Sequence, residues 1–319
     1  MTAIAARSVA VRVPASSANL GPGFDAVGLA LGLHDEVEVT VGQGPGPAHV
    51  RVAGEGAGAV GAGEDHLVVR ALRTALARGG VTERVALDLV CRNAVPHGRG
   101  LGSSATAVVT GVVAAAALLP PGTLDQRDVV HLASDLEGHP DNAAASVLGG
   151  MTLGWRDDRG RWRAVRLEVH PDVDAVVCVP AEELPTARAR AMLPESVSHG
   201  DAAFTAGRAA LLVEAMTRSP HLLLDATADR LHQNQREPAM PGTLALVRRL
   251  RDAGLAATVS GAGPSVLVLT VGDRVGDVER LAAGWQVLRP GIDAAGAVVT
   301  TRAGGCGEPG SAARAAVLQ

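Results

Sequence analysis

The sequence predicts an α+β protein built in two halves. Valine-rich, alternating runs open the chain and helical runs follow them, without the regular strand–helix alternation of a parallel sheet. The same progression begins again beyond residues 155–170. A length of 319 residues exceeds the usual size of one domain, which gives expected domains of 1–160 and 161–319.

In the first half, VAVRVPA (9–15), DEVEVTV (35–41) and HVRVA (49–53) alternate or are rich in valine, as strands do. A glycine-rich bend (54–63) precedes the helical run EDHLVVRALRTALARGG, which Gly79 and Gly80 terminate. VALDLVCR (85–92) is a further strand, and it leads into GRGLGSSATAVV (98–109). Helices are expected over 103–118, 125–137 and 141–148, and GMTLGWRDDRGRWRAVRLEV has the form of a hairpin turning at DDRG. In the second half DAVVCVP is a strand, and AAFTAGRAALLVEAMTR and GTLALVRRLRDAG are helices. AATVS and SVLVLT are strands, followed by a helix near 274–285 and a last strand near 296–301. Near the end of the chain, AGGCGEPGSAAR reads as loose.

Composition narrows the functional classes. Hydrophobic residues at 47% suffice for packed cores, and a net charge of −4 with no basic stripe argues against nucleic acid as a partner. With three Trp, two Phe and no Tyr, base-stacking platforms are also excluded. Cys91, Cys178 and Cys306 form no CxxC pair, so neither zinc nor a disulfide framework is expected, and reduced thiols fit a cytoplasmic protein. The first residues lack the apolar run of a signal peptide, and VVTGVVAAAALL (108–119) is too short to span a bilayer, so no membrane partner is expected.

The chain contains no lysine, so GRGLGSSATAVV cannot be a phosphate loop of the GxxxxGK[ST] type. The glycine spacing also fails GxGxxG. What remains is Pro96-His97-Gly98-Arg99-Gly100-Leu101-Gly102-Ser103-Ser104-Ala105, set between a strand and a helix. Glycines let backbone approach an oxyanion at positive φ, and the free N–H groups of the following helix with its dipole favour negative charge. Successive amides can cradle an anion without any side-chain cation. A bare Gly-Ser turn with a serine cap would have the same appearance. On the phosphate reading, Gly102→Val is expected to abolish ATP binding while leaving the fold largely intact.

Two further stretches accompany this one. VPASSANLGPGFDAVGLAL (13–31) and VSGAGPSVLVL (259–269) flank it in sequence, and the three together resemble the GHMP kinases over nearly the whole chain. Within that superfamily SANLGPGFD (17–25), EGHPDN (137–142) and the spacing of Thr186 and Arg190 are most similar to the homoserine kinase branch. The resemblance implies a two-domain GHMP kinase fold, an N-terminal half like ribosomal protein S5 domain 2 and a ferredoxin-like C-terminal half, with ATP at their junction. It implies phosphorylation of the L-homoserine hydroxyl by ATP with Mg²⁺, on the way to threonine. A homodimer is expected by analogy. The alternatives are a GHMP kinase for another small alcohol such as mevalonate, and a catalytically silent sensor of the same fold.

The resemblance carries roles onto individual positions. Residues 96–105, with His66 on the adenine side, would hold the nucleotide, and Ser104 and Glu137 the metal. Ser104, Glu137 and Asn142 are the candidate catalytic residues. Asn19, Asp25, His139, Asn142, Thr186, Arg190, Arg236 and Gly261 would form the substrate pocket. A carboxylate such as Asp25 suits an ammonium, and guanidinium groups such as Arg190 and Arg236 suit a carboxylate. Asn142 is a poor proton acceptor and Asp141 need not face the pocket, so no dedicated general base is expected. The segment SGAGPS (260–265) joins two strands and would pack against the phosphate loop. The chain departs from its relatives at His66, at Asn234-Gln235 and at Thr205, which bears on the adenine contacts and the shape of the substrate pocket.

Overall fold

In the computed structural model, residues 4–300 and the backbone of 315–317 are described. The loose end expected over 303–314, with Cys306, lies outside the described residues. The chain runs β1 (Ser8–Ala18), β2 (Val27–Pro45), β3 (Ala48–Gly54), α1 (Leu67–Arg78), β4 (Val85–Asn93), α2 (Ser103–Leu118), α3 (Gln126–Glu137), α4 (Asp141–Leu148), β5 (Met151–Arg156) and β6 (Trp162–Leu167). It continues through β7 (Val173–Val179), α5 (Thr186–Arg190), α6 (His199–Thr217), α7 (Leu223–Ala226), α8 (Pro241–Asp252), β8 (Ala256–Val259), β9 (Val266–Val271), α9 (Val275–Leu281), β10 (Gln286–Leu288), β11 (Val298–Thr300) and β12 (Ala315–Val317).

Two sheets result, each paired with helices. The first has the order β12-β11-β1-β2-β4-β3, with β5 and then β6 continuing from the early part of β2. The second is the antiparallel sheet β10-β7-β9-β8. Among the described residues only the β3–β4 pairing is parallel.

The alternating strand pattern explains the first core. Val11, Val13, Val37, Val39 and Leu89 point from the sheet into a cluster with Leu72 of α1 and Val109, Val112 and Val113 of α2. Helix α2 is apolar on nearly every side and almost wholly buried, as expected for a helix packed all round. Its N-terminus therefore has a fixed position, set by the core behind it.

Three differences from the expected elements have physical reasons. β2 begins at Val27, ahead of the alternating run, because Val27–Leu31 is buried and pairs with both β1 and β5. A strand covered on both faces is a continuous apolar run and carries no period-two signal. The β5–β6 hairpin spans the boundary expected near 160 and belongs to the first sheet. β11 also returns to that sheet, pairing with β1 at Ala10–Arg12, so residues after 160 contribute to both sheets. Cys91 and Cys178 are buried and free, and burial pushes both thiols up to about 12. Among the described residues no helix is long and apolar enough to cross a membrane.

Candidate active site

Strand β1 delivers the first motif to the cleft between the sheets. Beyond Ala18 the chain turns sharply, and Asn19, Leu20 and Asp25 adopt φ of 72°, 46° and 54°. Non-glycine residues hold such conformations only where the surroundings impose them, and they concentrate at functional sites. Here the Asn19 side chain supplies the restraint. Its Nδ2 donates to the Gly261 carbonyl at 2.9 Å, and its Oδ1 accepts from the Asp25 amide at 3.0 Å. One asparagine thus joins the first motif to SGAGPS and aims Asp25.

The Gly-rich loop enters from β4. Asp35, buried on β2, accepts the amides of Ala94 and Val95 at 2.7 and 3.0 Å and fixes the loop's first residues. Gly100 and Gly102 have φ of +72° and +71°. A Cβ on Gly100 would stand 2.3 Å from the Ser260 carbonyl oxygen, and one on Gly102 would stand 2.3 Å from Ser16 Oγ. Ser260 Oγ donates to the Gly100 carbonyl at 2.6 Å, so SGAGPS, a hairpin turn between β8 and β9, packs directly on the loop.

This packing revises the expectation for Gly102. A side chain there collides with the protein's own β1, so Gly102→Val is expected to lower stability by about 1–3 kcal/mol through overpacking and backbone strain. A fall in Tm measures this. An unchanged Tm would mean that the glycine serves ligand approach alone.

Gly102 is the N-cap of α2, and the first bond within the helix runs from the Thr106 amide to the Gly102 carbonyl at 2.8 Å. The amides of Ser103, Ser104 and Ala105 thus stand at an open helix end, where the dipole favours an anion. Ser104 Oγ donates to Glu137 Oε1 at 2.7 Å. Glu137 is the last residue of α3 and faces the start of α2. Burial raises its carboxyl above the usual range, against the Ser104 hydrogen bond and the charge of His139.

Beyond Glu137, His139 Nδ1 meets Asp141 Oδ1 at 2.6 Å. Burial disfavours the imidazolium, but the hydrogen bond and charge of Asp141 prevail and the His139 pKa is raised. Asp141 is 2% exposed and also accepts the Asn142 amide at 2.7 Å. Both bonds fall on Oδ1, and Asp141, not required by the sequence to face the pocket, lines the same cavity as His139 and Asn142.

Two guanidinium groups approach from the second half. Arg190, at the end of α5, makes a two-pronged ion pair with Asp25 at 2.7 and 3.0 Å. Arg236 is 1% exposed and among the described residues hydrogen-bonds only neutral acceptors: His232 Nδ1 at 3.0 Å and the carbonyls of Ala189 and Gly261, both at 3.3 Å. Burial, aided by the charge of Arg190, lowers its pKa to about 10. His232 keeps its proton on Nε2, which donates to the Gly21 carbonyl at 2.7 Å, leaving Nδ1 free to accept from Arg236.

One cavity of about 720 Å³ collects these groups. It is lined by every candidate nucleotide, metal and substrate residue: His66, the whole run from Pro96 to Ala105, Asn19, Asp25, Glu137, His139, Asn142, Thr186, Arg190, Arg236 and Gly261, whereas Thr205, Asn234 and Gln235 do not line it. Three of the lining residues sit differently from expectation. Arg99, expected on the nucleotide, turns its guanidinium to the carbonyls of Pro180 and Ala181 at 3.1 and 3.0 Å and to Glu183 at 3.5 Å. It ties the loop to the segment preceding α5. Asp25 and Arg190, expected on opposite charges of a ligand, pair with each other.

Sequence reasoning missed Phe24 and Asp35. The Phe24 ring lies 5.7 Å from the Arg236 guanidinium, 6.0 Å from that of Arg190 and 5.1 Å from the His232 ring. A signal was present, because Phe24 is one of only two phenylalanines and sits inside the first motif.

The geometry has counterparts among known proteins. The family model for the GHMP kinases N terminal domain matches residues 66–150, and that for the GHMP kinases C terminal matches residues 202–286. A homoserine kinase of Streptomyces coelicolor is 52% identical over 300 residues, covering 93% of this chain and 96% of the relative. The chain belongs to the GHMP kinase family. A homoserine kinase of Mycobacterium tuberculosis is 49% identical to this GHMP kinase over 264 residues, 81% of the chain and 83% of the relative. Among solved structures, homoserine kinase from Cytophaga hutchinsonii shares the fold with a TM-score of 0.81 at 24% identity, over 94% of this chain and 99% of that one. Mevalonate diphosphate decarboxylase from Staphylococcus aureus shares it with a TM-score of 0.68 at 18% identity, over 92% and 98%. The α+β, two-sheet architecture of this GHMP kinase is thus the family's own fold.

Proposed function

We propose that this kinase transfers the γ-phosphoryl group of ATP to the side-chain hydroxyl of L-homoserine, giving O-phospho-L-homoserine for threonine biosynthesis. The observation that carries this reading is the buried Arg236, a cation facing the cavity that hydrogen-bonds no carboxylate among the described residues, beside the Asp25–Arg190 pair. Asp25 accepts the ammonium of the amino acid, and Arg236 with Arg190 takes its carboxylate, for which a guanidinium fork is well shaped. The side-chain hydroxyl then points toward Asn142 and the N-terminus of α2.

The nucleotide phosphates fit the open amides of Ser103, Ser104 and Ala105, without a lysine. Among the described residues no group of three or more His, Cys, Asp and Glu side chains could hold a metal ion by itself. A single carboxylate with a hydroxyl, Glu137 and Ser104, is a suitable site for Mg²⁺, which retains waters and phosphate oxygens as its other ligands. Bound there, Mg²⁺ would neutralise phosphate charge. In the reaction the hydroxyl oxygen bonds to the γ-phosphorus, the bond to the ADP oxygen breaks, and the hydroxyl proton is released. The helix amides stabilise charge on the transferred group, so positioning and electrostatics supply most of the rate.

Asp141 accepts from His139 and Asn142 through Oδ1 and lines the cavity. The reading without a dedicated base therefore rests on the loose transition state of phosphoryl transfer, for which positioning and charge stabilisation suffice. Asp141→Asn is expected to keep kcat within about tenfold of the parent, whereas loss of a general base typically costs about 10²–10⁴-fold. A drop of that size with both substrates still bound would identify Asp141 as the base.

A mevalonate kinase reading would leave Asp25 without a ligand cation, since mevalonate carries a carboxylate but no ammonium. A silent sensor would have no need of the Ser104–Glu137 pair. Coupled ADP release against L-homoserine, mevalonate and galactose tests the assignment. Turnover with L-homoserine alone is expected. Turnover with another alcohol and none with homoserine would overturn it, and nucleotide binding without turnover of any alcohol would favour the sensor.

A further inference from the structure

Asn142 faces the reacting end of the cavity, yet an asparagine amide can present either its N–H₂ or its carbonyl. A buried hydroxyl chain lies against its carbonyl. Ser146 Oγ on α4 donates to Ser16 Oγ at 3.2 Å, and Ser16 Oγ donates to Asn142 Oδ1 at 3.1 Å. Ser16 and Ser146 are fully buried, so no water competes for these bonds. With Oδ1 occupied from β1, the N–H₂ group is the side of Asn142 left for the cavity it lines.

Ser16 is also bonded to the Gly-rich loop. Its amide donates to the Leu101 carbonyl at 3.1 Å, and its Oγ occupies the space that a Cβ on Gly102 would need. A single serine therefore touches the loop that ends at the α2 N-terminus and the side chain on α4 that faces the substrate. Those two elements must be held in mutual register for an in-line transfer, and small misplacements are costly.

We propose that Ser16 is a positioning residue. Its hydroxyl fixes the Asn142 amide with N–H₂ toward the substrate hydroxyl and the transferred phosphoryl oxygens, and locks that amide to the Gly-rich loop. This rests on the kinase reading above. Asn142 touches the substrate, and Ser16 acts only through it.

The direction of the chain gives the test its resolution. Ser16→Ala removes the donor to Asn142, so kcat is expected to fall about 10- to 100-fold, as for a displaced reacting group, with KM for both substrates changing less. Ser146→Ala removes only a donor to Ser16 and leaves the Ser16–Asn142 bond in place, so kcat should stay within about threefold, a shift typical of losing one neutral hydrogen bond. The deciding measurement is a double-mutant cycle. In the Asn142→Ala background, Ser16→Ala should cost almost nothing further, because its only route of action is gone.

If the two losses multiply independently, or if Ser146→Ala is as damaging as Ser16→Ala, the positioning role is overturned and Ser16 is a packing residue. Tm recorded for each variant separates this from failure to fold. Should Ser16→Ala prove unstable, Ser16→Cys in the same cycle keeps the shape with a weak donor and is read in the same way. Parent enzyme that does not phosphorylate L-homoserine would instead defeat the kinase reading, before any variant is compared.

Discussion

Glu137→Gln is expected to abolish most turnover, lowering kcat by about 10²–10³-fold or more, the scale for removing one preorganised charge-stabilising group. The substitution keeps size and can still accept from Ser104 Oγ, now 2.7 Å from the carboxylate, so the fold and the loop are preserved. What disappears is the anionic oxygen, which a magnesium–phosphate complex requires of the protein. Burial already raises the Glu137 carboxyl pKa. An opposing cation lowers it again, so parent activity should weaken as pH falls through the carboxyl titration, and added Mg²⁺ should shift that limb to lower pH. Activity of the Gln variant within tenfold of the parent would remove Glu137 from the metal site.

Arg236→Met is the second large effect, and it should fall on the other substrate. KM for L-homoserine is expected to rise by about 2–5 kcal/mol in binding terms, the cost of removing one partner of a desolvated charge pair. Arg236 hydrogen-bonds only neutral acceptors among the described residues, while the nearby charges of Asp25 and Asp229 favour its guanidinium, so the Tm of the variant is recorded beside its KM. ATP affinity, measured by calorimetry with a non-hydrolysable analogue, should remain near that of the parent, because the helix end and Glu137 are separate from the Arg236 shelf. Arg236→Lys should recover only part of the affinity, since a point charge lacks the planar fork. Equal losses toward both substrates would indicate a structural defect instead.

The parts of this molecule that could be read from sequence are those whose chemistry is local. The loop from Pro96 to Ala105 carries its glycines, its serines and its helix start within ten residues, and EGHPDN likewise puts Glu137, His139 and Asn142 on one turn between α3 and α4. The parts that could not be read depend on side chains far apart in the chain. Asp25 meets Arg190 across 165 residues and Ser16 meets Asn142 across 126, and no spacing rule links such positions. Arg99 lies inside the best-marked motif, yet its long side chain is drawn off to the carbonyls of Pro180 and Ala181. Motif membership places a backbone; tertiary packing decides where a flexible side chain goes. The same holds for β2 and β11. A strand buried on both faces loses its alternation, and the return of Val298–Thr300 to the first sheet is a long-range pairing with no local mark.

The central claim is that phosphoryl transfer reaches the hydroxyl of L-homoserine and not water. ³¹P NMR of a reaction containing the enzyme, MgATP and L-homoserine tests it most directly. The expected spectrum gains one phosphomonoester signal, coupled to a neighbouring CH₂ and equal in amount to the ADP formed. ADP accompanied only by inorganic phosphate, or an unchanged ATP spectrum, would contradict it.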